Sequence, residues 1–167
     1  MAFPNTDAGP RHILFVCHGN ICRSPMAEMI MKETLRQRGI ADRFVIASSA
    51  TSTEEIWGDT GNPVYPPARA ELKAHGIPCS DHRAVQLKKT DYAAYDYIIC
   101  MDRLNLHNIR RIIGSDPENK VFRLLDFTDT PRDVSDPWFT GDFGKAYSDI
   151  VYGIEGLLGY LEGRGVL

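Results

Sequence analysis

Residues 12–16, His-Ile-Leu-Phe-Val, form a short apolar run with β-branched and aromatic members. The run shows no polar alternation, so it reads as a strand buried on both faces. It stops at Cys17-His-Gly-Asn-Ile-Cys-Arg-Ser24, and a helix opens at Pro25. Ser24 suits the N-cap there and Pro25 the first helical position. Ala27, Ile30, Met31 and Leu35 share one face of that helix, and Gly39 suits its stop.

The rest of the chain continues the alternation. Phe44–Ala47, Tyr97–Met101 and Val121–Leu125 read as three further strands. Helices are expected over Ala68–His75, Lys89–Tyr95 and Leu104–Ile113, and a long one from Phe143 to Leu161. A proline-broken loop is expected over residues 49–67. Strands alternating with helices predict an α/β fold: a four-stranded parallel sheet with helices on both faces. Residues 1–11, with two prolines and a glycine, read as a flexible N-terminal tail, and residues 12–167 as a single domain. Ligands of such sheets bind beyond the carboxyl ends of the strands. Cys17, Met101-Asp102 and the Asp126–Phe143 loop all fall at that rim.

The 167 residues carry 19 basic and 22 acidic side chains, a net charge of −3. That balance argues against a general nucleic-acid or anionic-membrane binder. No apolar run approaches the roughly 20 residues of a membrane span. No secretory signal is visible, and four cysteines are too sparse for a secreted disulfide scaffold. The expectation is a cytoplasmic protein with reduced thiols; the oligomeric state is not legible.

The segment after the first strand carries the chemistry. A strand, a loop of small residues and a helix N-terminus form a cradle for an anion, with backbone N–H groups and the helix dipole turned inward. Gly19 permits positive φ, and Asn20 tolerates left-handed geometry. Arg23 adds a planar fork of donors matched to phosphate oxygens. The same field favours a thiolate at Cys17, placing a nucleophile at the floor of a phosphate site. A Cys-x5-Arg spacing alone is weak, since 4 cysteines and 13 arginines in this length give about 0.3 chance occurrences. Cys17 is the one cysteine with that spacing, and it lies between a buried strand and a helix start.

The run Val16-Cys17-His-Gly-Asn20-Ile-Cys22-Arg-Ser-Pro25-Met-Ala-Glu28 closely resembles the signature of the low-molecular-weight protein tyrosine phosphatases. The resemblance extends to Ser48-Ser-Ala-Thr51, Tyr95-Asp-Tyr-Ile-Ile-Cys-Met-Asp102, Asn105 and Asp136-Pro-Trp-Phe139. It implies hydrolysis of phosphotyrosine on proteins through a cysteinyl-phosphate, releasing inorganic phosphate, with no cofactor or metal. It implies Cys17 as nucleophile, Arg23 as phosphate clamp and Asp136 as general acid and base. His18, Gly19, Asn20, Ile21, Cys22, Arg23 and Ser24 would form the phosphate cradle. By the same resemblance Ser24 would donate to the Cys17 sulfur, Asn20 would hold the loop through Ser48, Asp102 would orient Arg23 and His82 would orient Ser24. Trp138 and Phe139 would wall a deep slot; Trp57, in a loop that forms one wall in the family, would either add to that wall or cover nearby apolar surface. Cys22 is the candidate partner for an oxidised Cys17.

Alternatives on the same signature remain. Protein arginine phosphatases resemble it but commonly carry Thr where this chain has Ile21. Thioredoxin-linked arsenate reductases need further cysteines late in the chain, and none follows Cys100. A non-catalytic phosphate or redox module would have no use for a proton donor at Asp136. Asp116-Pro117 competes with Asp136-Pro137 as the acid, but it precedes the fourth strand, on the opposite rim. Glu54 to Pro63 is longer than the family pattern, and its glutamates disfavour acidic phosphopeptides. The spacing of His75, Cys79 and His82 superficially resembles a metal site, but Gly76 and Pro78 interrupt it, and no metal is expected.

Overall fold

The computed structural model describes residues 9–167. The expected flexible tail therefore lies largely outside the described residues, and its last member, Arg11, already begins the first strand. The elements are β1 (Arg11–Cys17), α1 (Arg23–Gln37), β2 (Phe44–Ala50), β3 (Ile56–Trp57), β4 (Thr60–Gly61), α2 (Pro66–Ala74), α3 (Asp91–Ala94), β5 (Tyr97–Cys100), α4 (Arg103–Ile113), β6 (Val121–Arg123), α5 (Pro137–Thr140) and α6 (Phe143–Gly163). The main sheet has the order β2-β1-β5-β6, and all its pairs are parallel. Among the described residues no helix is long and apolar enough to cross a membrane.

The first strand shows why an unbroken apolar run was needed. Its side chains alternate between two cores. Ile13, Phe15 and Cys17 face one layer, formed with Met26, Ile30 and Leu35 of α1, Leu72 of α2, and Ile150, Ile154 and Leu157 of α6. Leu14 and Val16 face the other, with Ile98 and Cys100 of β5 and Ile109 and Ile113 of α4.

Several elements differ from the sequence expectation. The strand expected over Val121–Leu125 ends at Arg123 and becomes a tight helical turn over Leu124–Phe127. The Asp126 carboxylate accepts the Arg123 N–H at 3.2 Å and its guanidinium at 2.9 Å, closing that turn. Gly153 of α6 lets it sit close: a Cβ there would meet Leu124 Cγ at 2.4 Å. The second strand runs on to Ala50, because its pairing with β1 continues to Cys17, and residues 85–87 bridge its end through Ala50 N–H to Val85 O at 2.7 Å and Leu87 N–H to Ala50 O at 2.8 Å. The loop expected over 49–67 also holds the β3–β4 ribbon, turned at Gly58 with φ +65°. Finally, α1 begins at Arg23, so Ser24 is inside the helix rather than its N-cap, and Cys22 takes the capping position with no side-chain cap.

Candidate active site

The last residue of β1, Cys17, is 3% exposed and lies at the floor of a cavity of about 320 Å³. Its sulfur receives the backbone N–H of Asn20 at 3.3 Å and that of Ser24 at 3.4 Å. The loop can curl around sulfur because Asn20 is left-handed, with φ +59°. That residue is fully buried, and its side chain explains how the conformation is held. Asn20 Nδ2 donates to Ser24 Oγ at 2.7 Å and to Ser48 Oγ at 3.0 Å. Its Oδ1 accepts the Val85 N–H at 3.1 Å.

These bonds bring two hydroxyls into one polar chain. Ser48 Oγ accepts from Asn20 and donates to the buried carboxylate of Glu28 at 2.6 Å. Ser24 Oγ also accepts from Asn20 and lies 3.0 Å from the Cys17 sulfur and 3.5 Å from Ser49 O, so toward a thiolate it is the donor. A polar chain thus runs from Glu28 through Ser48, Asn20 and Ser24 to Cys17. The Glu28 link was not expected. Its signal in the sequence is a carboxylate among the apolar positions of α1, between Ala27 and Met29.

His82 is placed differently from expectation. Its Nε2 lies 2.9 Å from Asn20 Oδ1 and 3.4 Å from Ser48 Oγ, so it supports the Asn20 side chain rather than Ser24. The physical reason is the backbone bond between Val85 N–H and that same Asn20 oxygen, which draws the segment 82–85 to Asn20. The other members of the suspected metal spacing go elsewhere: His75 stacks on Tyr147 and contacts Glu71, and Cys79 Sγ lies 3.6 Å from Ser80 O.

Arg23, 2% exposed, lines the cavity beside Cys17. Its Nη1 donates to Asp102 Oδ2 at 2.8 Å and to Val134 O at 2.9 Å, and Nη2 reaches Asp136 Oδ2 at 3.3 Å. Burial works against the guanidinium charge, but Cys17, Asp102 and Asp136 outweigh it and hold the proton more firmly than on a free guanidinium. Asp102 is itself fixed as the N-cap of α4, accepting the Asn105 N–H at 2.7 Å. Asp136 caps α5, accepting the Trp138 N–H at 3.0 Å, and its side chain remains 29% exposed to the cavity. Cys22 also lines the cavity; burial, then the neighbouring Cys17, pushes its thiol up to about 12, so it is a neutral thiol.

The mouth has two unlike walls. One carries Leu104, Trp138 and Phe139, with the Trp138 ring 5.2 Å from that of Tyr65. The other carries His18, Glu54 and Glu55, where His18 Nε2 lies 3.0 Å from Glu54 Oε2. The expectation that Trp57 forms a wall is not met: it is 73% exposed and lies outside the cavity lining. The turn at Gly58 carries Trp57 to the outer end of the ribbon and leaves Glu54 and Glu55 at the mouth. Leu104, Glu54 and Glu55 are therefore lining residues that the motif did not name.

The family model for low molecular weight phosphotyrosine protein phosphatase matches residues 12–163. The human low molecular weight phosphotyrosine protein phosphatase is 37% identical over 150 residues, covering 87% of this chain and 92% of its own. The Bacillus subtilis low molecular weight protein-tyrosine-phosphatase YfkJ is 34% identical over 152 residues, covering 90% of this chain and 95% of its own. The crystal structure of YfkJ superposes with a TM-score of 0.86 at 32% identity, covering 94% of this chain and 98% of that one. A Streptococcus pyogenes low molecular weight protein tyrosine phosphatase gives 0.79 at 34% identity, covering 90% and 93%. Sequence, fold and the loop closed around Cys17 agree: this chain is an enzyme of the low molecular weight phosphotyrosine protein phosphatase family.

Proposed function

We propose that this phosphatase hydrolyses phosphotyrosine on proteins in two displacements at phosphorus. The single observation that carries the reading is the Cys17 sulfur, which accepts two backbone N–H bonds and faces a hydroxyl, with Arg23 and Asp136 in the wall above it. In the first displacement the Cys17 thiolate attacks phosphorus. The S–P bond forms, the P–O bond to the tyrosine ring breaks, and Asp136 passes its proton to the departing phenolate. In the second, Asp136 takes a proton from water, the water oxygen attacks phosphorus, and the S–P bond breaks. Thiolate and inorganic phosphate result. Arg23 and the loop amides balance the charge of the transferring group, so the scheme needs no metal.

An aryl ester suits the cavity because the apolar wall of Leu104, Trp138 and Phe139 offers surface to a ring above a buried nucleophile. A phosphoserine ester is too short to present its phosphorus to Cys17 while its backbone stays outside. Cys22, a neutral thiol in the same cavity, is the proposed resolving partner of an oxidised Cys17.

Turnover compared across phosphotyrosine, phosphoarginine, phosphoserine and arsenate, near pH 6 with a chelator present, tests the reading. Phosphotyrosine is expected to be the preferred substrate, with the chelator without effect. Preference for phosphoarginine or arsenate would overturn the assignment. Tight phosphate binding without turnover would instead mark a binding module.

A further inference from the structure

The segment carrying Asp136 has little regular structure of its own. From Thr128 to Ser135 it is turn and coil, and α5 begins only at Pro137. Its position over Cys17 must therefore come from anchors. Val134, buried, donates its N–H to Met101 O at 2.9 Å and accepts from Arg23. Asp133 accepts the Arg103 N–H at 2.9 Å and Arg123 Nη1 at 3.0 Å. The third anchor is a carboxylate on α6. Asp149, with a side chain 7% exposed, receives Arg132 Nη2 at 2.8 Å on one oxygen. Its other oxygen receives Arg132 Nη1 at 3.1 Å and the Ser135 N–H at 3.4 Å. Its neighbour Ile150 is fully buried in the core, so the carboxylate stands on a fixed base. Burial pushes the Asp149 carboxyl up, but Arg132, the Ser135 N–H and Lys145 outweigh it and hold it below the usual range. The bidentate pair is the strong form of this contact.

We propose that Asp149 is a positioning residue for the reaction: through Arg132 and the Ser135 N–H it sets the height of the adjacent Asp136 above Cys17. The proposal rests on the reading of Asp136 as the proton donor. A carboxyl that must meet a departing oxygen within hydrogen-bond reach tolerates little displacement, and a shift of about 1 Å can cost a hundredfold. Releasing this anchor leaves the sulfur and the loop amides as they are, and Arg23 keeps Asp102 and the Val134 carbonyl, which the bond from Val134 N–H to Met101 O holds independently of α6. The loss should fall on proton transfer alone.

The test is kcat/KM of Asp149→Asn with two substrates, phenyl phosphate, whose leaving group needs a proton, and dinitrophenyl phosphate, whose leaving group does not. Phenyl phosphate is expected to fall by about tenfold or more, and dinitrophenyl phosphate and inhibition by inorganic phosphate to change by less than about twofold. Arg132→Ala, at a side chain 42% exposed, is expected to reproduce the pattern and carries the test if Asp149→Asn does not fold. Arg132→Lys should restore part of the loss. Asp149→Asn added to Asp136→Asn should cost nothing further on phenyl phosphate. Equal losses on both substrates, or additive losses in the double variant, would overturn the proposal. If Asp136→Asn by itself showed no dependence on the leaving group, the reading of Asp136 would fail instead.

Discussion

The chain contains two Asp-Pro pairs beside the last strand of the sheet, and the structure uses them in opposite ways. Asp116 lies before β6, at the amino ends of the strands. Both its oxygens are taken: Tyr92 donates its hydroxyl at 2.7 Å, and the Lys120 and Val121 N–H groups donate at 3.0 and 3.1 Å. Asp136 lies beyond β6, at the carboxyl ends. One of its oxygens caps α5 and the other faces Arg23 at the longer distance of 3.3 Å, within the cavity above Cys17. The same dipeptide therefore makes a turn at one end of the sheet and leaves a carboxyl in the cavity lined by Cys17 at the other. What separates them is the number of donors each has already satisfied and which end of the strands it occupies.

The widest separation is expected in catalysis. Asp136→Asn should lower kcat/KM for phenyl phosphate by about a hundredfold or more while leaving dinitrophenyl phosphate nearly untouched; Asp116→Asn should alter neither ratio. A leaving-group effect from Asp116→Asn would invert the comparison.

Stability should separate them the other way. Asp116→Asn loses acceptor strength toward three donors and should cost about 1–3 kcal/mol in urea unfolding, against little for Asp136→Asn. The sign with pH follows from the direction of the Asp116 shift. Burial pushes its carboxyl up, but the Lys120 N–H, Tyr92 hydroxyl and Val121 N–H outweigh this and hold it below the ordinary value. Its contribution is present above the ordinary carboxylate range and is lost as pH falls through the lowered value. Asp116→Asn should flatten that acid limb, measured as the urea midpoint against pH.

The smallest effect is expected from carboxylates that face the mouth without touching the reacting atoms. Glu54→Gln and Glu55→Gln should raise kcat/KM for phosphotyrosine peptides with acidic flanks by about two- to fivefold, and less so at high salt. Unchanged ratios between acidic and basic peptides would remove these residues from substrate selection.

The floor of the site was legible because it is local. Residues 17–24 are contiguous, and a strand end, a loop of small residues and a helix start determine one another within a few residues. Residues 13–16 likewise announced a doubly covered strand, since four apolar residues in succession leave neither face for water. The walls were less legible because they are assembled from segments at 54–55, 102–105 and 136–139, whose meeting is a property of the packed sheet. Trp57 shows the limit: its loop suggested a wall, but the turn at Gly58 points it outward. His82 was linked to the correct loop and to the wrong residue, because its approach is set by a backbone bond from Val85. The strand after Val121 ended early through a pairing of Arg123 and Asp126 that periodicity does not register.

The central claim is that sulfur, not water, first attacks phosphorus. Rapid acid quenching during turnover of an aryl phosphate, followed by peptide mass spectrometry, tests it directly. One phosphoryl group is expected on the peptide containing Cys17, absent from Cys17→Ser, which should still bind phosphate. An enzyme that turns over fully with no phosphoryl group on Cys17 at any quench time, or a Cys17→Ser variant that retains turnover, would contradict it.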